Sequence, residues 1–318
     1  MLNSIVSKLN YDFLRGFGDT RRGAPLLKIG IAGLPASGKT SFTSIALETL
    51  QNPRQTLGGV YVNFLAGLNE PDAIYNDPPP EYKDIAHSIF IDRIPSNIKD
   101  SPYIEDRQVS FTHSDKGYEL SFLEANGEDF ARNSISNEFF EDSEAFILTI
   151  DPLNIPEIRY TLKDHGFDTN QHGVYQGRDP SVTKPITEAI YDFAIRANIK
   201  NKPIAIVFTK FDLLFNCPYL KQNHLASASN IYKPFAYVIE NGTVSLNRLK
   251  ESSREIEMLL TSFNLTALTT LVSDISNKHM YFAVSGYGHT PSGANLGEIR
   301  PHRVLDPLLW LLKLRGFV

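Results

Sequence analysis

The sequence predicts an α/β fold in which helices flank a mostly parallel sheet that contains one antiparallel hairpin strand. Short apolar runs alternate along the chain with amphipathic segments, which is the pattern of strand–helix–strand units. Turn-forming residues separate two of these runs closely enough for a hairpin. The chain of 318 residues is 42% hydrophobic and 11% aromatic, so it can bury a large core and is unlike an intrinsically disordered chain.

Six runs have the composition of strands. The run at 26–32 is compact and apolar and ends before Gly33, which predicts a buried strand. The run at 107–113 alternates polar and apolar residues, and turn residues at 114–117 connect it to a returning strand at 118–124. The other three β-rich runs lie at 145–150, 203–208 and 280–284.

Helical periodicity follows several of these runs. A helix is predicted at 39–50, directly after the first strand. A crossover helix between two parallel strands is predicted from the spacing of Ile186, Ala189, Ile190 and Phe193. A looser stripe lies at 246–260, and residues 301–318 contain a closing helix at 304–314. Residues 1–23 are predicted to form an N-terminal helix and a link.

Two proline-containing regions, residues 52–106 and 152–182, interrupt this alternation. Loops of this length are uncommon in compact domains unless they are functional or mobile. We therefore expect both regions to be irregular insertions.

Charge and cysteine content exclude several classes of function. The formal net charge of −5 argues against a general nucleic-acid-binding surface. The single cysteine, Cys217, excludes a disulfide framework, and the histidines, including His165 and His172, lack the spacing of a zinc site. We find no secretory leader and no apolar run long enough to span a membrane, so we expect a soluble cytoplasmic protein.

The segment Gly33-Leu-Pro-Ala-Ser-Gly38-Lys39-Thr40 matches G-x-x-x-x-G-K-[ST], the P-loop NTPase motif, between a predicted strand and a predicted helix. Its glycines let backbone N–H groups wrap phosphate oxygens, and the helix presents its positive end to the same anion. Lys39 supplies charge to the β- and γ-phosphates, and the Thr40 hydroxyl can bind Mg²⁺. The predicted nucleoside-phosphate site comprises Gly33, Ser37, Gly38, Lys39, Thr40 and Ser41.

Residues Thr209-Lys210-Phe211-Asp212 directly follow the predicted strand at 203–208. A carboxylate at Asp212 could accept both the N1–H and the exocyclic amine of guanine, a pair that adenine does not offer. The stem of Lys210 would cover the base plane. This short pattern gains weight from its position, because open α/β sheets bind ligands where their parallel strands end.

Two more segments follow predicted strands. Glu124, at the end of the strand at 118–124, could hold the magnesium shell, and Gly127 could offer its N–H to a γ-phosphate. Glu128 comes next. Ser285 and Gly286 follow the last strand, where their backbone amides could meet the base.

In this order, the four segments resemble the first, third, fourth and fifth sequence boxes of TRAFAC-class P-loop GTPases, the superfamily of Ras-like proteins and translation factors. The resemblance covers the framework from about residue 26 to residue 290. Three short segments, at 33–40, 282–285 and 306–312, are also similar, though less specifically, to a bacterial branch of GTPase domains associated with conflict or effector gene clusters. The resemblance implies a nucleotide-controlled switch that binds GTP and GDP with Mg²⁺, hydrolyses GTP with water, and has an unidentified protein effector or regulator.

Three residues depart from the family pattern. Glu124 stands where the family has aspartate, and Thr209 where it often has asparagine. Glu128 stands where Ras-like members have a water-orienting glutamine; its carboxylate could order water but adds repulsion beside a γ-phosphate. We therefore expect slow hydrolysis, with Lys39 and Glu128 as the catalytic candidates and Thr40 and Glu124 as the metal ligands.

Two further groups of a GTPase site, a hydroxyl that caps the metal and a cation for the transition state, could each come from several residues. The hydroxyl that caps the metal could come from Thr56, Ser96 or Ser101. The cation for the transition state could come from a partner, or from Arg93, Arg107 or Arg132.

Two other functions also fit the sequence. One is an ATP-using NTPase or phosphotransferase in which Asp151 is the magnesium carboxylate, although this residue could instead begin a turn. The other is a nucleotide-dependent scaffold that does not hydrolyse its ligand. In each case the motifs extend from Gly33 to Ser285, so we predict one domain over residues 1–318.

Overall fold

The computed structural model describes residues 26–51, 80–92, 104–113, 116–135, 137–166, 185–215, 217, 220, 229–240, 243–289 and 296–316. The strands of these residues are β1 Leu26–Gly33, β2 Ile104–His113, β3 Lys116–Glu124, β4 Ala145–Ile150, β5 Ile204–Phe208, β6 Ile239–Glu240, β7 Thr243–Val244 and β8 His279–Ala283. Their helices are α1 Lys39–Gln51, α2 Pro80–Phe90, α3 Gly127–Arg132, α4 Pro156–Asp164, α5 Ile186–Arg196, α6 Asp212–Phe215, α7 Leu246–Ser262, α8 Thr266–Ile275 and α9 Asp306–Leu314.

The described residues form a six-stranded sheet with the order β2-β3-β1-β4-β5-β8 and a separate ribbon of β6 and β7. Strands β3, β1, β4, β5 and β8 are parallel to one another, and β2 pairs antiparallel with β3. The α/β class, the mostly parallel sheet and the antiparallel hairpin strand are therefore confirmed. Helix α5 lies between β4 and β5 in the chain, as predicted for the crossover.

The core lies on both faces of the sheet, because successive residues of a strand point to opposite sides. All six residues of β4 are buried. Ala145 and Ile147 pack with residues of α1 and α9, whereas Phe146 and Leu148 pack with residues of α5 and α8. A central strand covered on both faces reads as a continuous apolar run, which is why the sequence identified it.

The expectation of irregular insertions is wrong where the structure describes them. Within 52–106, residues Pro80–Phe90 form α2, which buries Ala86 and Ile89. Within 152–182, Pro152–Asn154 form a 3₁₀ turn and Pro156–Asp164 form α4. The prolines misled the prediction because those at 80, 152 and 156 stand at the first position of a helix or turn, where proline is well tolerated.

Several predictions concern residues outside the described ranges. These are the N-terminal helix and link, His172, Arg93 and the hydroxyls of Thr56, Ser96 and Ser101, while only the backbone of Arg107 is described. The single domain over residues 1–318 therefore stays a prediction. Among the residues that are described, no helix is both long enough and apolar enough to cross a membrane.

Helix α9 is anchored by a buried ion pair. The Arg303 guanidinium lies 2.6 Å from Asp306 Oδ2, at the first residue of the helix. Arg303 Nη1 also donates to Asn230 O at 2.8 Å and to Ser252 Oγ at 3.0 Å. Burial raises the pKa of Asp306, and Arg303 opposes that shift. Arg303 therefore connects the start of α9 to α7 and to Asn230, which lies before α7 in the chain.

We expect Arg303→Met to lower the free energy of unfolding by about 3–5 kcal/mol, because it leaves the Asp306 carboxylate buried without its cation. Urea unfolding followed by circular dichroism measures this loss. The matched control is Arg300→Met, which removes an exposed partner of Glu298 and should leave the unfolding midpoint unchanged. Equal effects of the two substitutions would contradict the role given to the buried pair.

Candidate nucleotide-binding site

The motif at Gly33–Thr40 forms the tight connection between β1 and α1. Ser37 N donates to Leu34 O at 3.1 Å, which closes a turn, and Gly38 has φ of 79°, in the left-handed region that favours glycine. A Cβ on Gly33 would lie 2.4 Å from Thr149 O. The loop is therefore wound against the end of β4, at a distance that only glycine allows.

Lys39 lies inside this loop and is only 4% exposed. Its ammonium donates to Gly33 O at 3.0 Å and approaches Leu34 O at 3.4 Å. A Cβ on Gly127, the first residue of α3, would lie 3.0 Å from Lys39 Nζ. The structure thus brings together the two residues that the sequence assigned to the γ-phosphate.

Thr40 and Glu124 are in direct contact, since the Thr40 hydroxyl donates to Glu124 Oε1. Glu124 is fully buried at the end of β3, next to β1 in the sheet. A hydroxyl and a carboxylate are the oxygen ligands that hard cations such as Mg²⁺ prefer. In the described part of the chain, no group of three or more His, Cys, Asp and Glu side chains could hold a metal ion. A magnesium ion at Thr40 and Glu124 would thus need further oxygens from a ligand or water.

The segment after β5 is bonded to the loop after β1. Thr209 Oγ1 donates to Ser37 O at 2.7 Å. Lys210, with a left-handed φ of 53°, donates from its ammonium to Ala36 O at 2.9 Å. The candidate base segment and the candidate phosphate loop therefore form one hydrogen-bonded unit.

Asp212 is buried beside the segment that follows β8. The Ser285 hydroxyl donates to Asp212 Oδ1 and accepts from Gly288 N at 2.8 Å. Phe211 N donates to Val284 O at 3.0 Å, which joins the two segments through their backbones. Gly286 packs against α1, because a Cβ there would meet the Ile45 side chain. The residues predicted to recognise a base are therefore neighbours.

Glu128 lies at a more open position than the other candidates. Its backbone N–H is capped by the Asn126 side chain at 2.7 Å, at the start of α3. Its carboxylate is about half exposed and lies 4.0 Å from Arg132 Nη2, one turn further along the same helix. Ser41 lies in the first turn of α1, next to Thr40.

Asp151 begins a turn, as one of its two interpretations predicted. Its Oδ1 accepts from Leu153 N at 2.9 Å and caps the 3₁₀ turn that follows β4. Its Oδ2 lies 2.7 Å from Lys210 Nζ. This ion pair was not predicted, since nothing in the sequence shows that residues 59 positions apart would meet.

Two residues of the site were missed by sequence reasoning. Thr149 shares a hydrogen bond with Ser37 Oγ at 2.8 Å, and its signal was the single polar residue in the apolar run at 145–150. His302 exchanges backbone hydrogen bonds with Ser285, at 3.0 and 2.8 Å. No sequence signal marked His302, because this pairing depends on a chain reversal after β8.

The His302 ring is partly buried, and its loss of contact with water lowers its pKa to about 4, with Arg303 adding to the shift. The hydrogen bond between Nε2 and Ile231 O, at 2.8 Å, acts in the opposite direction. His302 is therefore neutral at pH 7 and donates from Nε2–H to the carbonyl. This ring holds the segment that pairs with Ser285 against the body of the fold.

The depressed pKa of His302 makes stability depend on pH. The folded value is about 4 and the ordinary value is 6.5, so the unfolded chain binds the proton more readily between these values. The contribution of this group is complete above pH 6.5 and falls by about 3 kcal/mol as pH drops to 4. We expect His302→Gln, which keeps an N–H donor but cannot titrate, to lose less stability over this range.

Urea unfolding at several pH values tests this expectation. The exposed His165 supplies the control His165→Gln, which should follow the pH dependence of the unsubstituted chain. A His302→Gln chain with the same pH dependence as that chain would show that the ring does not titrate as inferred.

Two comparisons with known proteins give no match. A scan against protein-family models finds none that fits this chain. A search of curated proteins finds no significant match.

Proposed function

We propose that the chain is a GTP-binding protein that hydrolyses GTP slowly with Mg²⁺ and acts as a nucleotide-controlled switch for a protein effector or regulator. One observation carries the proposal: segments that follow four parallel strands are bonded to one another at a single edge of the sheet. The contacts are Thr40–Glu124, Thr209–Ser37, Lys210–Ala36 and Asp212–Ser285. This is the edge at which open α/β sheets bind ligands.

The phosphate end of the site would use the loop from Gly33 to Thr40. Its backbone N–H groups, the start of α1 and the buried Lys39 ammonium all offer positive charge to phosphate oxygens. Thr40 and Glu124 would hold Mg²⁺, which supplies further neutralisation of the β- and γ-phosphates. Gly127 would add its N–H beside Lys39, so that both groups act on the phosphate that is transferred to water.

The base end of the site favours guanine. The Ser285 hydroxyl holds Oδ1 of Asp212 and so orients the carboxylate. A fixed carboxylate accepts two hydrogen bonds from the N1–H and the amine of guanine, whereas adenine presents an acceptor at N1. The Lys210 stem, fixed by its contact with Ala36, would cover the base. Guanine selectivity would thus come from Asp212, and affinity from the surrounding contacts.

The contacts of Asp151 argue against the alternative function, an ATP-using NTPase or phosphotransferase. That function requires Asp151 as the magnesium carboxylate near Thr40. Both Asp151 oxygens are instead engaged, one by Leu153 N and one by Lys210. The Thr40 hydroxyl contacts Glu124. We therefore favour Glu124 as the metal carboxylate.

A nucleotide-dependent scaffold without hydrolysis is the second candidate. The observation that favours it is the position of Glu128, whose half-exposed carboxylate lies near Arg132 on the outside of α3. A carboxylate held there by Arg132 would not order an attacking water. Turnover measurements separate this candidate from the switch.

The proposal predicts that the purified chain binds a fluorescent GTP analogue, in Mg²⁺, at least about tenfold more tightly than the ATP analogue, since only guanine pairs with the carboxylate. Asp212→Asn should shift the preference from guanine to xanthine nucleotides, because the amide presents a donor where the carboxylate accepts. Fluorescence titration measures all these affinities.

Two lysine substitutions make the titration specific to the site. Lys39→Ala should abolish most of the binding, because it removes the buried ammonium from the phosphate loop. Lys28→Ala, which removes an ammonium that pairs with Asp142 near the start of β1, should bind GTP normally. ATP binding as tight as GTP binding would contradict the proposal.

Slow hydrolysis with Glu128 as the water-ordering group predicts that Glu128→Ala lowers the rate of phosphate release by about 100-fold, the lower range for general acid–base groups. Single-turnover phosphate release measures this rate. Glu157→Ala, which removes an acidic residue from the first turn of α4, is the matched control and should retain the full rate. Absence of turnover in the unsubstituted chain would favour the scaffold.

A further inference from the structure

Asp151 occupies a central position at the carboxyl edge of the sheet. It directly follows β4, which pairs with β1 on one side and with β5 on the other. The candidate phosphate loop follows β1, and the Thr209–Asp212 segment follows β5. Asp151 is therefore placed between the two parts of the candidate site, and its side chain is only 1% exposed.

Both carboxylate oxygens of Asp151 have partners. Oδ1 accepts from Leu153 N at 2.9 Å, and Oδ2 pairs with Lys210 Nζ at 2.7 Å. The same ammonium donates to Ala36 O, at 2.9 Å, inside the phosphate loop. Lys210 thus bridges a buried carboxylate and a loop carbonyl. Because an unpaired buried carboxylate is strongly disfavoured, this bridge is held firmly.

We infer that Asp151 is a positioning residue, which holds the Lys210 side chain against the phosphate loop and thereby raises the affinity of the site for its nucleotide. This inference rests on the proposed nucleotide function. It gives Asp151 no contact with the ligand: Asp151 acts through Lys210.

The physical reason is the freedom of the lysine side chain. A lysine has many rotamers, so a site that uses its stem to cover a base must restrict them when the ligand binds. Asp151 restricts them beforehand, and a preorganised group costs less to order on binding. Lys210 also has a left-handed φ of 53°, a conformation that non-glycine residues rarely adopt without restraint. The ion pair with Asp151 is one such restraint.

Asp151→Asn is the sharpest substitution, because asparagine caps a turn as well as aspartate does but carries no charge. The cap on Leu153 N should remain, and the ion pair with Lys210 should be lost. We expect the affinity for fluorescent GTP and GDP analogues to fall about tenfold, the effect of losing one charged hydrogen bond.

A double-mutant cycle with Lys210→Gln shows whether Asp151 acts through Lys210. If it does, the Asp151→Asn/Lys210→Gln chain binds the nucleotide no more weakly than Lys210→Gln alone. Additive losses would show that Asp151 acts independently of Lys210, which overturns the inference. Unchanged affinity of Asp151→Asn overturns it as well.

The Mg²⁺ dependence of binding tests whether Asp151 is instead a metal ligand. If it were, Asp151→Asn would raise the Mg²⁺ concentration needed for half-maximal binding while leaving the Mg²⁺-free affinity unchanged, and that result overturns the inference. Asp142→Asn is the matched control, since it removes a carboxylate that pairs with Lys28 at 3.0 Å, and it should bind nucleotide normally.

Folding is checked by thermal unfolding of each variant without nucleotide. If Asp151→Asn or Lys210→Gln fails to fold, Lys210→Arg provides the second variant, because arginine keeps a cation that can pair with Asp151. We expect Lys210→Arg to retain affinity within about threefold, and a loss as large as about tenfold would overturn the inference. If the unsubstituted chain binds no nucleotide, the proposed function itself is wrong. If the unsubstituted chain binds nucleotide, the affinities of the variants test the Asp151 inference separately from the proposed function.

Discussion

The parallel pairing of β1 with β3 on one side and with β4 on the other is the constraint on which the candidate site depends. Because these strands share a direction, Gly33, Glu124 and Asp151 leave the sheet at the same edge. The order of the sheet then places the end of β5 next to that of β4, and the end of β8 next to that of β5. Backbone pairing alone therefore brings residues as far apart in the chain as Gly33 and Ser285 to one edge of the sheet.

Side-chain contacts convert this shared edge into one connected unit. Thr209 reaches the carbonyl of Ser37, Lys210 reaches that of Ala36, and Ser285 holds Asp212. The contacts of Thr209 and Ser285 are buried, so each polar group that loses water there gains a partner, whereas the contact of Lys210 with Ala36 lies at the surface. Thr40 and Glu124 add a contact on the other side of β1. The two ends of the candidate site are therefore connected through hydrogen-bonded neighbours.

The sequence predicted the parts of the fold whose local pattern is strong. The buried strands read as apolar runs, and α5 has clear helical spacing. The helices α2 and α4 were not predicted from the sequence, because the prolines that begin them were interpreted as helix breakers. The short α3 and the ribbon of β6 and β7 gave too few residues for a periodic signal. Within the candidate site, the loop of Gly33–Thr40 could be predicted because its sequence motif is complete in eight consecutive residues. The Lys210–Asp151 pair and the pairing of His302 with Ser285 depend on tertiary contacts over long chain separations.

A crystal structure with a non-hydrolysable GTP analogue and Mn²⁺ in place of Mg²⁺ shows directly whether the four segments bind one nucleotide, because anomalous scattering locates the metal independently of the refined coordinates. We expect the metal beside Thr40 and Glu124, the phosphates within the loop of Gly33–Thr40, and the guanine edge against Asp212. A metal bound by Asp151, or a base distant from Asp212, would contradict it.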